Sequence, residues 1–479
     1  MKVVLIKKDI YSYDIHSLFK AFFPKEEIKV LTDSSDIPSG CDVYHVDVDV
    51  SKNELKRNVY TLLSQETGTE LPWGNLTGIR PTRIVMNLIE EGKTDDEIRA
   101  YMKDTYFVSD EKIELSLLIA HREKEILKDI DYENGYSLYI GIPFCPTRCL
   151  YCSFTAYPIS GYAGVVDDYI SCLEKEIDYV AENFKDKTLD TIYIGGGTPT
   201  TLEPHQIDRL LTYLYDKIDV SKVKELTVES GRPDSITRQK LRVMKKLGVT
   251  RISVNPQSMK DETLELIGRR HTVAQLIDAF NMAREEGFDN INMDIILGLP
   301  GEDDRDVAYT MEEIKKLDPD DLTVHSLAIK RGSKLAEILM ERKAGREKEG
   351  KVLHGESDEA AIMSKMMKAA EDGAASMGLL PYYLYRQKNI SGNYENTGYA
   401  RRGKAGIYNI LINEEVQSIV ALGAGTVTKR VYGYDGRIER CDNVKDIKLY
   451  MEQLDEMIER KRKLFLEYKG DNHGEYQSN

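Results

Sequence analysis

A chain of 479 residues with 41% hydrophobic content is too long for one ordinary domain and rich enough to fill two or three cores. Its formal net charge of −15 argues against a nucleic-acid binder, which needs a basic face, yet leaves room for an anionic substrate held by local cations. No apolar run approaches the roughly 18 residues of a membrane span. The opening MKVVLIKKDI is stopped by Lys7 and Lys8 before it could form a signal-peptide core, so a cytoplasmic setting is expected.

Residues 1–130 read as a small α/β domain. VVLI and VYHVDVDV have the apolar character of strands, and NELKRNVYTLLSQ and DDEIRAYMKDTY that of helices. Between them lies LPWGNLTGIRPTRIV with Trp73, the single tryptophan. No catalytic constellation is visible there.

From 135 to 335 the pattern becomes regular. Six apolar runs, SLYIGI, TIYIGG, ELTVES, TRISVNP, INMDIIL and LTVHSLA, alternate with helical stretches. One of these, VAQLIDAFNMAREEG, places Val273, Leu276, Ile277 and Phe280 on one face, and Asp234 and Asp261 are candidate N-caps. Strand–helix alternation implies a parallel sheet. Six units are too few to close an eight-stranded barrel, so an open, partial (β/α)6 barrel is expected. Active sites of such barrels form at the C-terminal strand ends. Cys145, Gly195–Gly197, Glu229, Gln257, Asp294 and Ala328 fall at or near those ends.

Residues 340–479 read as a C-terminal α+β subdomain that could cap the barrel. It opens with a charged linker (341–357), followed by a methionine-rich helix (358–377), two or three strands and a final helix near 444–465. The tail after Lys469 is expected to be disordered.

Of the six cysteines, Cys41, Cys172 and Cys441 are scattered, whereas Cys145, Cys149 and Cys152 stand at i, i+4 and i+7 in GIPFCPTRCLYCSF. Without an export signal, such a cluster means metal or redox chemistry rather than a disulfide framework. Three thiolates can hold a [4Fe–4S] cluster and leave one iron open for a small molecule. A structural zinc site would want a fourth Cys or His nearby, and no histidine lies between His121 and His205.

GGGTPT (Gly195–Thr200) follows the second strand. It lacks the P-loop and dinucleotide-fold patterns, so alone it is either a tight turn or a close-approach loop. Glu229 could be a solvated carboxylate, Gln257 a turn residue and Arg269 a cap for the preceding short helix. Asp294 differs, because a carboxylate inside an apolar strand needs a buried partner. The stretch YRQKNISGNYENTGYARRGK is basic and aromatic, suited to a flat anionic ligand if it is not merely solvated.

The C-x3-C-x2-C spacing on a first barrel strand resembles the radical S-adenosylmethionine (SAM) superfamily. Residues 137–330, and more loosely 381–430, are similar to the oxygen-independent coproporphyrinogen III oxidase group. Within that group, a chain with this N-terminal domain resembles the HemZ branch. The resemblance implies a [4Fe–4S] cluster on Cys145, Cys149 and Cys152, with SAM chelating the open iron. It implies contacts from Tyr139 and Gly196 to a first SAM, and a bond from Glu229 to SAM. Gly197, Thr198, Gln257, Arg269, Asp294 and Ala328 match positions around a second. ALGAGTVTK (421–429) resembles a glycine-rich strand on the substrate side.

The implied reaction is oxidative decarboxylation of coproporphyrinogen III propionates to vinyl groups by a 5′-deoxyadenosyl radical, giving protoporphyrinogen IX. The implied partners are a porphyrinogen or haem-type tetrapyrrole and an electron donor such as flavodoxin or ferredoxin. No catalytic side chain is assigned. Two departures put the decarboxylation in doubt. Gly141 stands where the oxidase has histidine, and Phe154, preceded by Ser153, stands where it has a further cysteine. The alternatives are a haem carrier like the HemW branch and a haem-degrading radical methyltransferase.

Overall fold

The computed structural model describes residues 1–466 except 7–8, 25, 47–48, 153–155, 328–333, 336, 339–355, 387–393 and 434–435. The expected linker, the tail and Ala328 therefore lie outside the described residues.

The N-terminal region holds two cores rather than one. In the first, β1 (Lys2–Ile6) lies between β2 (Ile28–Leu31) and β3 (Asp42–Val46) in a parallel sheet. Helix Ser12–Phe22 buries Ile15, Leu18, Phe19 and Phe22, and helix Lys52–Thr67 buries Leu55, Val59 and Leu63. Both show helical spacing of one apolar face. In the second, helices Thr82–Glu90, Asp95–Tyr106 and Asp110–Ile126 pack around Trp73 and take in Leu384 from a C-terminal strand. Asp95–Tyr106 begins at a Thr94–Glu97 capping box, which explains its sharp start.

The barrel follows. Its first strand is β4 (Gly135–Ile142), continued by the short β5 (Phe144–Cys145), which pairs with β6 (Tyr157–Pro158). The other five are β7 (Thr188–Gly196), β8 (Glu225–Val228), β9 (Arg251–Ser253), β10 (Ile291–Leu297) and β11 (Asp321–Ser326). All six run parallel in the order β4-β7-β8-β9-β10-β11. This is the open six-unit barrel expected from the alternation. The helix Val273–Glu285 buries Leu276, Ala279, Phe280 and Ala283 on the expected face. The two aspartates expected as N-caps act otherwise. Thr237 caps the helix after Asp234, which pairs with Arg232, while Asp261 is the first residue of the short helix Asp261–Leu266 and accepts from the Val273 amide.

The C-terminal strands extend the barrel sheet instead of closing over the strand ends. β12 (Leu380–Arg386) and β13 (Glu395–Ala400) add antiparallel beside β11, whereas β14 (Ser418–Leu422), β15 (Val427–Val431) and β16 (Ile438–Asp442) add beside β4. The result is one sheet of eleven strands. The methionine-rich helix spans Glu356–Ser376, and its Met363, Met366 and Met367 join the main core. Among the described residues no helix is long and apolar enough to cross a membrane.

The β14 side is anchored by a fully buried ion pair. Lys461 donates to Glu176 at 2.7 Å and to Asn443 at 2.7 Å, and Glu176 also accepts from Tyr450 and from the Gly423 amide. Removing one member strands a charge without a partner. Lys461→Met should therefore lower stability by about 3–5 kcal/mol, and adding Glu176→Gln should recover most of that loss. Urea denaturation of the two variants and the parent checks this.

Candidate functional site

The register of β4 against β7 decides what sits at the barrel mouth. Gly141 lies opposite Gly195 and Ile142 opposite Gly196, so the cysteine loop and the triple-glycine loop leave the sheet side by side. The Gly197 amide donates to Ile142 O (2.8 Å) and the Thr198 amide to Phe144 O (2.7 Å). A Cβ on Gly197 would lie 2.5 Å from Phe144 O, and Gly196 has a φ of +109°. Both glycines are therefore set by close backbone approach and by a backbone conformation that other residues resist. From the other side Leu150 donates to Ile267 O at 3.0 Å.

Cys145, Cys149 and Cys152 line one cavity of ≈ 370 Å³ at the C-terminal strand ends, together with Gly196, Gly197, Thr198, Glu229, Gln257, Arg269 and Asp294. Ten sequence-derived positions thus converge from the cysteine loop and from four of the five other strand–loop junctions. Tyr139 stands one ring back. It stacks on Tyr193 (centroids 6.0 Å apart), whose hydroxyl donates to Glu229 at 2.6 Å.

Each side chain is held by its neighbours. Thr198 Oγ1 donates to Cys145 Sγ at 3.4 Å, and burial pushes the Cys145 thiol up to about 11. Glu229 faces the cavity rather than bulk water, and this desolvation raises its carboxyl to about 7 against the pull of Tyr193. Gln257 adopts a φ of +66° and bridges to Ile295. Its Oε1 is buried with no partner among the described residues. Arg269 is not a helix cap. Its Nη1 donates to Asn255 O (2.7 Å) and Gly231 O (3.2 Å), tying two strand ends together, and its buried Nε lacks a partner among the described residues.

Asp294 has the partners that its buried position demands. Asn292 donates to it at 2.7 Å and Asn255 at 2.6 Å, with His325 Nε2 3.8 Å away. Desolvation alone would raise this carboxyl, but His325, Asn292 and Arg251 hold it below the usual range. A second chamber of ≈ 350 Å³ lies deeper in the barrel and shares Glu229, Asn255, Asp294, His325 and Tyr385 with the first.

Sequence reasoning missed Arg232, Asn255, His325 and Tyr151, whereas Tyr385, from the basic and aromatic stretch, does line the cavity. A signal existed for some. Asn292 and Asp294 in INMDIIL, and Thr323 and His325 in LTVHS, are polar at alternate positions of otherwise apolar strands, the mark of one polar-facing side. Conversely, several expected substrate contacts fall elsewhere. Arg386 is buried and donates to Leu76 O, while Arg401 and Lys404 pair with Asp318 and Asp289 beyond the N-terminal end of β11. The 421–429 stretch packs its Gly423 on Gly141 O, Tyr169 and Glu176, and contributes nothing to either chamber among the described residues. Phe154 and residues 387–393 lie outside the described residues.

A model of the radical SAM superfamily matches residues 139–314. The oxygen-independent coproporphyrinogen-III oxidase-like protein HemZ of Bacillus subtilis is 41% identical over 86% of this chain and 80% of its own length. The chain belongs to the HemZ family of radical SAM proteins. The heme chaperone HemW of Bacillus subtilis is 37% identical over 40% of the chain, which spans half of that protein. Coproporphyrinogen III oxidase HemN of Escherichia coli has a similar solved structure (TM-score 0.52, 23% identity, 68% of this chain and 70% of that one), a likeness of fold.

A radical SAM protein uses a [4Fe–4S] cluster and S-adenosylmethionine, and the cavity fits both. The three thiols come from one loop and line the same cavity, the donor set of a cubane in which each thiolate binds a different iron. The unpartnered Gln257 Oε1 and Arg269 Nε belong to residues of the cavity wall and leave polar atoms for a ligand.

Anaerobic reconstitution should load about four irons per chain. Serine at Cys145, Cys149 or Cys152 should abolish the charge-transfer absorption, and serine at Cys41, Cys172 or Cys441 should leave it. The raised Glu229 carboxyl makes a separate prediction. Between its ordinary value of 4.5 and about 7 the folded state keeps a proton that the unfolded state has lost, so stability falls as pH rises. At about 1.4 kcal/mol per unit the full effect is roughly 3 kcal/mol. Glu229→Gln should therefore be more stable than the parent above pH 7 and equal to it near pH 4, by denaturant titration at both values.

Proposed function

We propose that this HemZ-family protein is a radical SAM oxidoreductase that decarboxylates coproporphyrinogen III propionates to vinyl groups without oxygen. One observation carries the reading: the three thiols of a single loop share one cavity with Glu229, Gln257, Arg269 and Asp294. The cluster and SAM together supply one-electron cleavage of a carbon–sulfur bond and, through it, hydrogen-atom abstraction from an unactivated carbon.

The protein's own residues position and shield that chemistry. Cys145, Cys149 and Cys152 are the cluster ligands. Gly196 and Gly197 would present bare backbone to the SAM methionine moiety, and Glu229, held by the Tyr193 hydroxyl, would accept hydrogen bonds from SAM. Gln257, Arg269 and Asp294 supply an amide, a guanidinium and a carboxylate to the same cavity. The cavity is of cofactor size, so a macrocycle would lie across the mouth, beside Tyr385 and Asn396. A low-potential flavodoxin or ferredoxin is the proposed electron source.

A heme-chaperone role like that of HemW is the second reading, and it stays open because the surroundings of Gly141 weigh against the first. A Cβ there would lie 2.5 Å from Thr426 Cγ2, and Tyr169 donates to Gly141 O at 2.7 Å, so this position is packed against β14 and β15. It offers no room for the histidine of the oxidase.

The deciding assay gives reduced, reconstituted protein coproporphyrinogen III under anaerobic conditions. The oxidase reading expects carbon dioxide, 5′-deoxyadenosine and a tricarboxylic intermediate, each reduced at least a hundredfold by Asp294→Ala. SAM cleavage that leaves the porphyrinogen intact, together with stoichiometric haem binding, would replace it with the carrier reading.

A further inference from the structure

Arg232 is a buried cation beside the cysteine loop, and neither motif nor family match assigns it a role. It follows Glu229 by three residues, just beyond the end of β8, and is 4% exposed. Its guanidinium is clamped by Asp234, with Nε at 2.9 Å and Nη2 at 2.7 Å from the two carboxylate oxygens. The rest of the fork reaches the cysteine loop. Nη2 donates to Thr147 Oγ1 at 3.1 Å, and Nη1 donates to Thr147 O at 3.3 Å and to Cys149 Sγ at 3.5 Å. The Nη1 contacts place the donor on the loop's middle thiol. The Asp234 contacts fix the plane of the fork, which a lysine could not reproduce.

We propose that Arg232 is a positioning residue that tunes the cluster, making it easier to reduce by donating to the Cys149 thiolate and placing a positive charge beside it. The inference rests on Cys149 being a cluster ligand. The physical reason is general. Adding one electron from an external low-potential donor increases the negative charge on iron and sulfur, and both a hydrogen bond to a ligand sulfur and a nearby cation favour that more negative state. No atom is transferred and no other redox partner is needed. Asp234 sets the size of the effect, since its carboxylate offsets part of the guanidinium charge while holding its geometry. Burial strengthens each term, because solvent screens these charges poorly.

The same arrangement could instead only pin the loop, and the two roles have different readouts. The experiment is a redox titration of anaerobically reconstituted full-length protein, followed by the electron paramagnetic resonance of the reduced cluster, with iron content measured on each sample. Arg232→Gln should keep about four irons. At a fixed poise its ratio of reduced to oxidised cluster should fall about tenfold, a midpoint lower by about 59 mV for a one-electron couple. Arg232→Lys should recover part of the shift. Asp234→Asn, which leaves Arg232 in place without its counter-charge, should move the midpoint upward. Arg270→Gln, at an exposed neighbour outside the cavity lining, should leave it unchanged.

An unshifted midpoint in Arg232→Gln overturns the proposal. So does a variant that loses iron while its remaining cluster titrates like the parent, since that is loop packing alone. If Arg232→Gln does not fold, Asp234→Asn decides, and no upward shift there counts against the proposal. A parent protein that binds no cluster is a separate result, and it would remove the radical SAM reading itself.

Discussion

The approach of two backbones at the end of β4 and β7 sets the terms for the whole site. Gly197 and Thr198 donate to the carbonyls of Ile142 and Phe144, the residues that lead into Cys145. A side chain at 197 would collide with Phe144 O. Because the strands are parallel and in fixed register, the cysteine loop cannot slide along the sheet without breaking these bonds. The other strand ends then face the loop at defined distances, and the polar residues on them become one wall.

That wall is possible because the barrel is polar on its inner face and apolar on its outer one. The outer positions of β4 to β11 pack on the helices through Leu, Ile and Val. The inner face carries Asn255, Asn292, Asp294, Thr323 and His325, linked by hydrogen bonds around Asp294. A carboxylate among apolar strands would be costly alone, but here it has two amide donors and a nearby imidazole. The wall is therefore ordered before any cofactor arrives, which is what a site that must orient a reactive molecule requires.

How much of this could be read from the sequence follows from how local each cause is. The six strands were legible because each is a short apolar run between helical patterns. The three cysteines were legible because their spacing is a local chemical signature, and the HemZ-type resemblance carried Glu229, Gln257, Arg269 and Asp294 with them. The C-terminal strands were not. Whether β12 to β16 form a cap or extend a sheet depends on which edges pair, and edge pairing leaves no local mark. The same is true of the cations. Arg386, Arg401 and Lys404 read as a basic stretch, yet the antiparallel pairing of β13 with β11 sends Arg401 and Lys404 to the far end of the barrel, and Arg386 points into the Trp73 core. Arg232, which reaches the site, gave no pattern because its partners Thr147 and Cys149 lie more than eighty residues away.

The N-terminal region gains a structural meaning from the same pairing. β13 begins with Glu395, which is 1% exposed, accepts from Trp73 Nε1 at 2.7 Å and is paired with Lys112 at 2.7 Å. The next residue, Asn396, lines the cavity, and its Oδ1 accepts from the Ser326 amide at the end of β11 at 2.8 Å. Opposite it on β12, Tyr385 reaches His325 at 3.4 Å. The chain from Trp73 to Glu395 to Asn396 thus joins the helical core of residues 82–126 to the rim of the site. A buried carboxylate with both an indole and an ammonium partner resists displacement, because moving it would leave each of them unsatisfied. The helical core around Trp73, which carries no visible chemistry of its own, therefore braces the edge of the cavity.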